Sequence, residues 1–115
     1  MSTDVTIAIA TYNGEKYLRE QLDSIFKQTY QDFSVLIGDD LSNDSTVKII
    51  KEYKKRYPGK MTLIQNNKKL GFVKNFENLI MSSNTKYIAF SDQDDIWTND
   101  HLEILLNLIK GYDLA

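Results

Sequence analysis

The chain has 115 residues, a net charge of -2 with acidic and basic residues intermixed, and no cysteine. That length supports one domain with a core of its own and is too short for two ordinary ones. The charge balance offers no field for nucleic acid, and the lack of thiols excludes disulfides, thiolate metal sites and a cysteine nucleophile. No apolar run approaches a membrane span or a signal-peptide core, so the expected location is the cytoplasm, at the inner face of the membrane if the full-length protein is membrane-associated.

Val5 to Ala10 is β-branched and almost wholly apolar, the pattern of a strand covered on both faces in a parallel sheet. Turn residues Thr11, Tyr12, Asn13 and Gly14 lead to a helix expected from Glu15 to Lys27, with Tyr17, Leu18, Leu22, Ile25 and Phe26 at helical spacing. Phe33 to Gly38 reads as a second strand ending at Asp39-Asp40. The loop that follows, rich in Asp, Asn and Ser, offers N-caps for a second helix with Val47, Ile50, Tyr53 and Tyr57 as its apolar stripe and Pro58-Gly59 as its stop. Lys48, Lys51, Lys54, Lys55 and Arg56 read as its solvated face.

Met61 to Gln65 is the expected third strand, and Phe72, Val73, Phe76, Leu79 and Ile80 mark a third helix. Tyr87 to Phe90 forms a fourth strand and delivers Ser91-Asp92-Gln93-Asp94-Asp95-Ile96-Trp97. A final helix is expected from Asp100 to Lys110, with Leu102, Leu105, Leu106 and Ile109 inward and capping-box spacing between Asp100 and Glu103. Tyr112 to Ala115 resembles the start of a fifth strand. The alternation predicts an α/β fold, a mostly parallel Rossmann-like sheet with helices on both faces and right-handed crossovers.

In such sheets ligands bind beyond the carboxyl ends of the strands, at a topological switch point. Three ends are chemically distinctive: Thr11-Tyr12-Asn13, Asp39-Asp40 and Asp92-Gln93-Asp94-Asp95. A flat aromatic stacks on a base, a buried carboxylate accepts a base N–H or ribose hydroxyl, and two carboxylates two residues apart on extended backbone share one side and suit magnesium or manganese. An isolated D-x-D is more often a helix-capping loop, but its position among the other strand ends favours a nucleotide site. No glycine-rich phosphate loop occurs, so at a nucleotide site metal neutralisation must do more of the work.

Val5 to Asn13 with Glu15, the Asp39-Asp40-x-Ser42-x-Asp44-x-Thr46 pattern, Gly71 and Phe90 to Trp97 together resemble the N-terminal half of a family 2 glycosyltransferase of the GT-A fold. The resemblance implies a nucleotide-diphospho-sugar donor, a UDP- or dTDP-sugar, a glycan acceptor and a divalent cation, Mn or Mg. Carried over by position, Tyr12 stacks on the pyrimidine with the backbone of Ala10 and Thr11 close to the nucleoside. Asp40, with Asp39 beside it, contacts the base, Asp92 the ribose, and Asp94, assisted by Asp92, the metal. The Asp-Gln-Asp-Asp-Ile-Trp form is similar to enzymes that transfer rhamnose or related sugars onto bacterial surface polysaccharides. The resemblance also sets the catalytic base of an inverting transfer beyond Ala115, leaving residues 1 to 115 as a donor-binding part, weakly active alone and prone to self-association through exposed apolar surface.

Two other readings use the same residues. A non-catalytic nucleotide or sugar-binding module needs only the strand-end cluster. A receiver-like magnesium-binding signalling domain would set its acidic pair after the first strand and a phosphoacceptor after the third, whereas here the acidic pairs follow the second and fourth.

Overall fold

A computed structural model describes residues 4–92 and 95–111. Four strands alternate with four helices: β1 (Val5–Thr11), α1 (Leu18–Phe26), β2 (Phe33–Asp39), α2 (Thr46–Arg56), β3 (Met61–Gln65), α3 (Phe72–Ser82), β4 (Tyr87–Ser91) and α4 (His101–Gly111). The expected fifth strand at 112–115, like Gln93 and Asp94, lies outside the described residues. Among the described residues no helix is long and apolar enough to cross a membrane.

The strands form one parallel sheet in the order β3-β2-β1-β4. The chain steps outward from β1 to β2 and β3, and α3 then returns it across the sheet to β4. The order therefore reverses between β1 and β4, the position at which an open α/β sheet leaves a crevice. Register brings Thr11 level with Asp39, and Asp39 level with Gln65, so the polar ends of β1 and β2 lie side by side.

β1 is buried along its whole length, as its apolar run predicts. One face of the sheet, with Ile7, Ile9, Val35 and Ile37, packs on Leu22 and Ile25 of α1, Ile50 and Tyr53 of α2, and Trp97, Leu102 and Leu106. The other face is thinner: Ala8 and Leu36 meet Leu79 of α3, with Phe76 and Ile88 partly covered. Each wholly buried aliphatic side chain contributes about 1.5–3 kcal/mol, so the first face dominates stability. The thin face exists because small residues let α3 approach closely. A Cβ on Gly38 would lie 2.5 Å from Asn75 Oδ1 and 3.0 Å from Leu79 Cδ2.

Three expectations are revised. α1 begins at Leu18 instead of Glu15, because Gly14 O accepts the amides of Tyr17 and Leu18 in a preceding turn while Glu15 is tied to another loop. In α2 the buried stripe is Ile49, Ile50 and Tyr53, with Val47 only half-buried. In α4 the buried contacts come from Leu102 and Leu106, whereas Ile109 is 47% exposed. Glu103 accepts the Thr29 hydroxyl at 2.7 Å and so ties α4 to the turn after α1.

Candidate functional site

The loops after β1 and β2 are fastened to each other. The Asn13 amide donates to Ser42 Oγ (2.8 Å) and the Asn43 amide to Asn13 Oδ1 (2.9 Å). The Gly14 amide donates to Thr46 Oγ1 (2.9 Å), and the Ser45 amide returns a bond to Glu15 Oε2 (3.1 Å). Asp44 caps α2 through the Thr46 amide (2.9 Å) and also accepts the Glu15 amide (3.3 Å). Burial alone would raise the Asp44 pKa, but the Thr46 hydroxyl and these amides outweigh it and hold it below its ordinary value. The pattern Asn13, Glu15, Ser42, Asp44, Thr46 is thus a fastener between two strand-end loops.

Asp39 belongs to that framework. It is 2% exposed, its Oδ1 accepts the hydroxyls of Thr11 (2.7 Å) and Ser42 (2.6 Å), and its Oδ2 accepts the Ser42 amide (3.0 Å). Its neighbour turns the other way. Asp40 Oδ1 accepts the Leu70 amide (2.7 Å) and Asn66 Nδ2 (3.1 Å), and its Oδ2 accepts the Gly71 amide (3.0 Å). Desolvation pushes the Asp40 pKa up, yet these donors and the nearby Lys69 charge win, and the carboxyl is held below its ordinary value. It is a charged acceptor at neutral pH.

Gly71 gives up its amide in this way because it sits at φ 85° and ψ 165°, backbone open essentially to glycine alone, immediately before α3. Asn75, one turn on, donates to Gly38 O (2.9 Å) and accepts from Asn66 (3.1 Å). Asp40, Asn66, Asn75 and Gly38 therefore form one buried chain of hydrogen bonds joining β2, the loop after β3 and α3.

Above this chain lies a cleft of about 180 Å³ lined by Ala10, Thr11, Tyr12, Asp40, Lys69 and Asn75, with Gly71 and Phe72 completing the wall. The Tyr12 ring is 41% exposed, and the Lys69 ammonium lies 3.4 Å above its centroid. Four of the residues singled out from the sequence, Ala10, Thr11, Tyr12 and Asp40, are thus brought together. Lys74 lines a separate, more open groove of about 480 Å³ between β3 and α3, with Asn66, Glu77 and Asn78.

Asp92 stands at the end of β4, outside the lining of the cleft, with its side chain exposed. Its backbone is fixed from below. Gln21 of α1 is wholly buried and donates through Nε2 to Ser91 Oγ (2.8 Å) and to Asp92 O (2.6 Å). Asp95 is exposed, its Oδ2 accepts Trp97 Nε1 at 3.3 Å, and its amide donates to Asp92 O (3.0 Å). Trp97 is a core residue, 6% exposed, with its ring against His101. Asp94 lies outside the described residues.

Gln21, Asn66, Lys69 and Asn75 are absent from the sequence-derived site. Gln21 and Asn75 carry a signal nonetheless, since each is a polar residue at the spacing of its helix's apolar face, between Leu18 and Leu22 and between Phe72 and Leu79.

The sequence profile of Glycosyl transferase family 2 matches residues 6–115. The chain belongs to that family. It is 44% identical over 99 residues to the dTDP-rhamnosyl transferase RfbG of Shigella flexneri, covering 83% of this chain and 34% of RfbG. It is 34% identical over 108 residues to the glycosyltransferase GlyA of Streptococcus pneumoniae, covering 94% and 15%. S. aureus TarS, solved with UDP, superposes with a TM-score of 0.84 at 27% identity over 97% of this chain and 33% of the TarS chain. A mannosyltransferase from Pyrobaculum calidifontis, solved with GDP-Man and Mn2+, shares the fold with a TM-score of 0.86 at 22% identity, covering 95% and 33%. The family 2 chain thus has the GT-A architecture and spans about a third of the length of RfbG and TarS.

Proposed function

We propose that residues 1–115 form the donor-binding part of a glycosyltransferase that takes a UDP- or dTDP-sugar and transfers the sugar, with inversion, to a glycan acceptor. The observation that carries this reading is the cleft itself, where an exposed aromatic ring and a carboxylate kept ionised by main-chain donors meet at the ends of β1 and β2. Tyr12 supplies a stacking face, Asp40 an acceptor for a base N–H, and the ends of β1 at Ala10 and Thr11 a wall against the nucleoside. Asp92, one strand over on β4, is assigned to the ribose and the metal edge.

The acidic stretch suits a divalent cation in its chemistry: the donors are all carboxylate oxygens, and the exposed Asp92 side chain hangs on backbone that Gln21 holds. Asp94 with Asp92 would hold magnesium or manganese, which when bound neutralises the charge on the departing diphosphate. The sheet order weighs against a receiver-like domain, in which β1 lies between β2 and β3; here β1 lies between β2 and β4.

Calorimetric titration with UDP and dTDP, with and without manganese, tests the proposal. Metal-dependent binding that is lost in Asp94→Ala is expected, and failure of both nucleotides to bind sinks it. Binding without sugar transfer by the longer protein would instead leave a nucleotide-binding module.

A further inference from the structure

The Lys69 ammonium lies 3.4 Å above the Tyr12 centroid, the height at which a stacked base would lie. Both side chains line the same cleft, so a base on that face and the ammonium compete for one layer. Lys69 is exposed on a flexible four-carbon stem and can slide outward at little cost. What it then meets is set by Asp40 on the same wall.

Three donors already bond to Asp40, two at Oδ1 and one at Oδ2. A carboxylate offers roughly four acceptor sites, so about one is left, on Oδ2. That suits a ring bearing a single N–H. Uracil and thymine present one N–H flanked by two carbonyls, and each carbonyl needs a donor. Cytosine presents a lone pair at that atom, and guanine presents adjacent N–H groups that ask for more acceptors than remain. Lys69 is the cation in the cleft lining.

We propose that Lys69 reads the base: its ammonium, here on the Tyr12 ring, moves to the edge of an imide-bearing pyrimidine, uracil or thymine, and donates to the 4-carbonyl beside the N–H that Asp40 accepts, the position at which cytosine carries an amino group. This assignment rests on the cleft being the donor site and adds to it the residue that selects the base. It makes Lys69 a specificity determinant, separate from the carboxylates at the end of β4.

The test is calorimetric titration of the 115-residue chain and its Lys69→Met variant with UDP, dTDP and CDP in one buffer, with thermal melts to show both are folded. Loss of a charged hydrogen bond is expected to weaken UDP and dTDP by about tenfold and leave CDP within about twofold, while Lys69→Arg keeps the preference. Equal weakening of UDP and CDP would overturn the assignment in favour of a phosphate contact. Unchanged or tighter UDP binding in Lys69→Met would overturn it too, leaving Lys69 a cover on Tyr12. If the wild-type chain binds none of the three, the donor site itself fails, and the base-reading role with it.

Discussion

The side-chain amide of Gln21, wholly buried on α1, donates to the main-chain carbonyl of Asp92 at 2.6 Å and to the Ser91 hydroxyl at 2.8 Å. Its own Oε1 is buried without a partner among the described residues. A buried amide with one atom unsatisfied costs more than an apolar side chain of the same size. Gln21→Met should therefore fold with stability within about 1 kcal/mol of wild type, since two lost hydrogen bonds are offset by relief of that desolvation. The end of β4 should loosen. Hydrogen exchange at Ser91 is expected to quicken, and, on the proposed role of Asp92 at the metal edge, manganese-dependent UDP affinity to fall by about tenfold, the usual effect of removing a residue that positions a metal ligand. Intact metal-dependent affinity would show that α1 merely fills space there.

Asp40 sets the acid limit of the site. Its folded pKa lies below the ordinary 3.8, so its stabilising contribution is complete above that value and is lost as the pH falls through the lowered folded pKa. Asp40→Asn replaces one acceptor oxygen by a donor, which faces the Leu70 or Gly71 amide. That mismatch should cost about 1–3 kcal/mol and flatten the acid unfolding curve below pH 3.8. It should also abolish UDP binding, because the charged acceptor is gone. Urea titrations of both proteins across pH 2–7 would check the first part, and calorimetry the second.

Tyr53 sets the alkaline limit. It is 2% exposed, its hydroxyl donates to Asp23 Oδ1 at 2.6 Å, and burial together with that carboxylate pushes its pKa from 10.0 up to about 12. The raised value means the contribution is full below pH 10 and disappears as the pH rises toward about 12. Tyr53→Phe should lose about 1 kcal/mol at neutral pH through the missing hydrogen bond, yet remove this part of the alkaline transition. A variant that unfolds at the same high pH with the same steepness would assign the transition to other groups.

The strands and their alternation with helices are legible because burial imposes period and composition: Val5 to Ala10 and Phe33 to Gly38 read as covered strands, and Tyr12 and Asp40 stand where those strands end, whereas the order β3-β2-β1-β4 comes from the structure. The partition of the polar residues is another matter. Ser42, Asp44 and Thr46 are turn and cap types whether they serve a ligand or another loop, and which it is depends on Asn13, Gly14 and Glu15 arriving from some thirty residues away. Asp39 and Asp40 are adjacent in sequence and point to opposite employments, because Thr11 lies level with the first and the Leu70 and Gly71 amides meet the second. Lys69 has no periodic signal, as a single lysine in a polar loop can reach many places. Only the path of the loop after β3 brings it over Tyr12.

Gly38 connects stability to the cleft. Its hydrogen faces α3, and a methyl group there would come within 2.5 Å of Asn75 Oδ1 and 3.0 Å of Leu79 Cδ2. Asn75 cannot retreat freely, since it donates to Gly38 O and accepts from Asn66, which in turn bonds Asp40. Gly38→Ala should therefore force α3 outward and cost about 1–3 kcal/mol, the range for an extra methyl in a packed interior. Asn75→Ala alone should also destabilise by removing the bonds that Asn75 donates to Gly38 O and accepts from Asn66. In the double variant, however, the smaller side chain makes room for the methyl, so the two losses should fall short of their sum. Thermal or urea unfolding of the four proteins gives the coupling, and strict additivity would show that the methyl is accommodated by some other movement than that of Asn75.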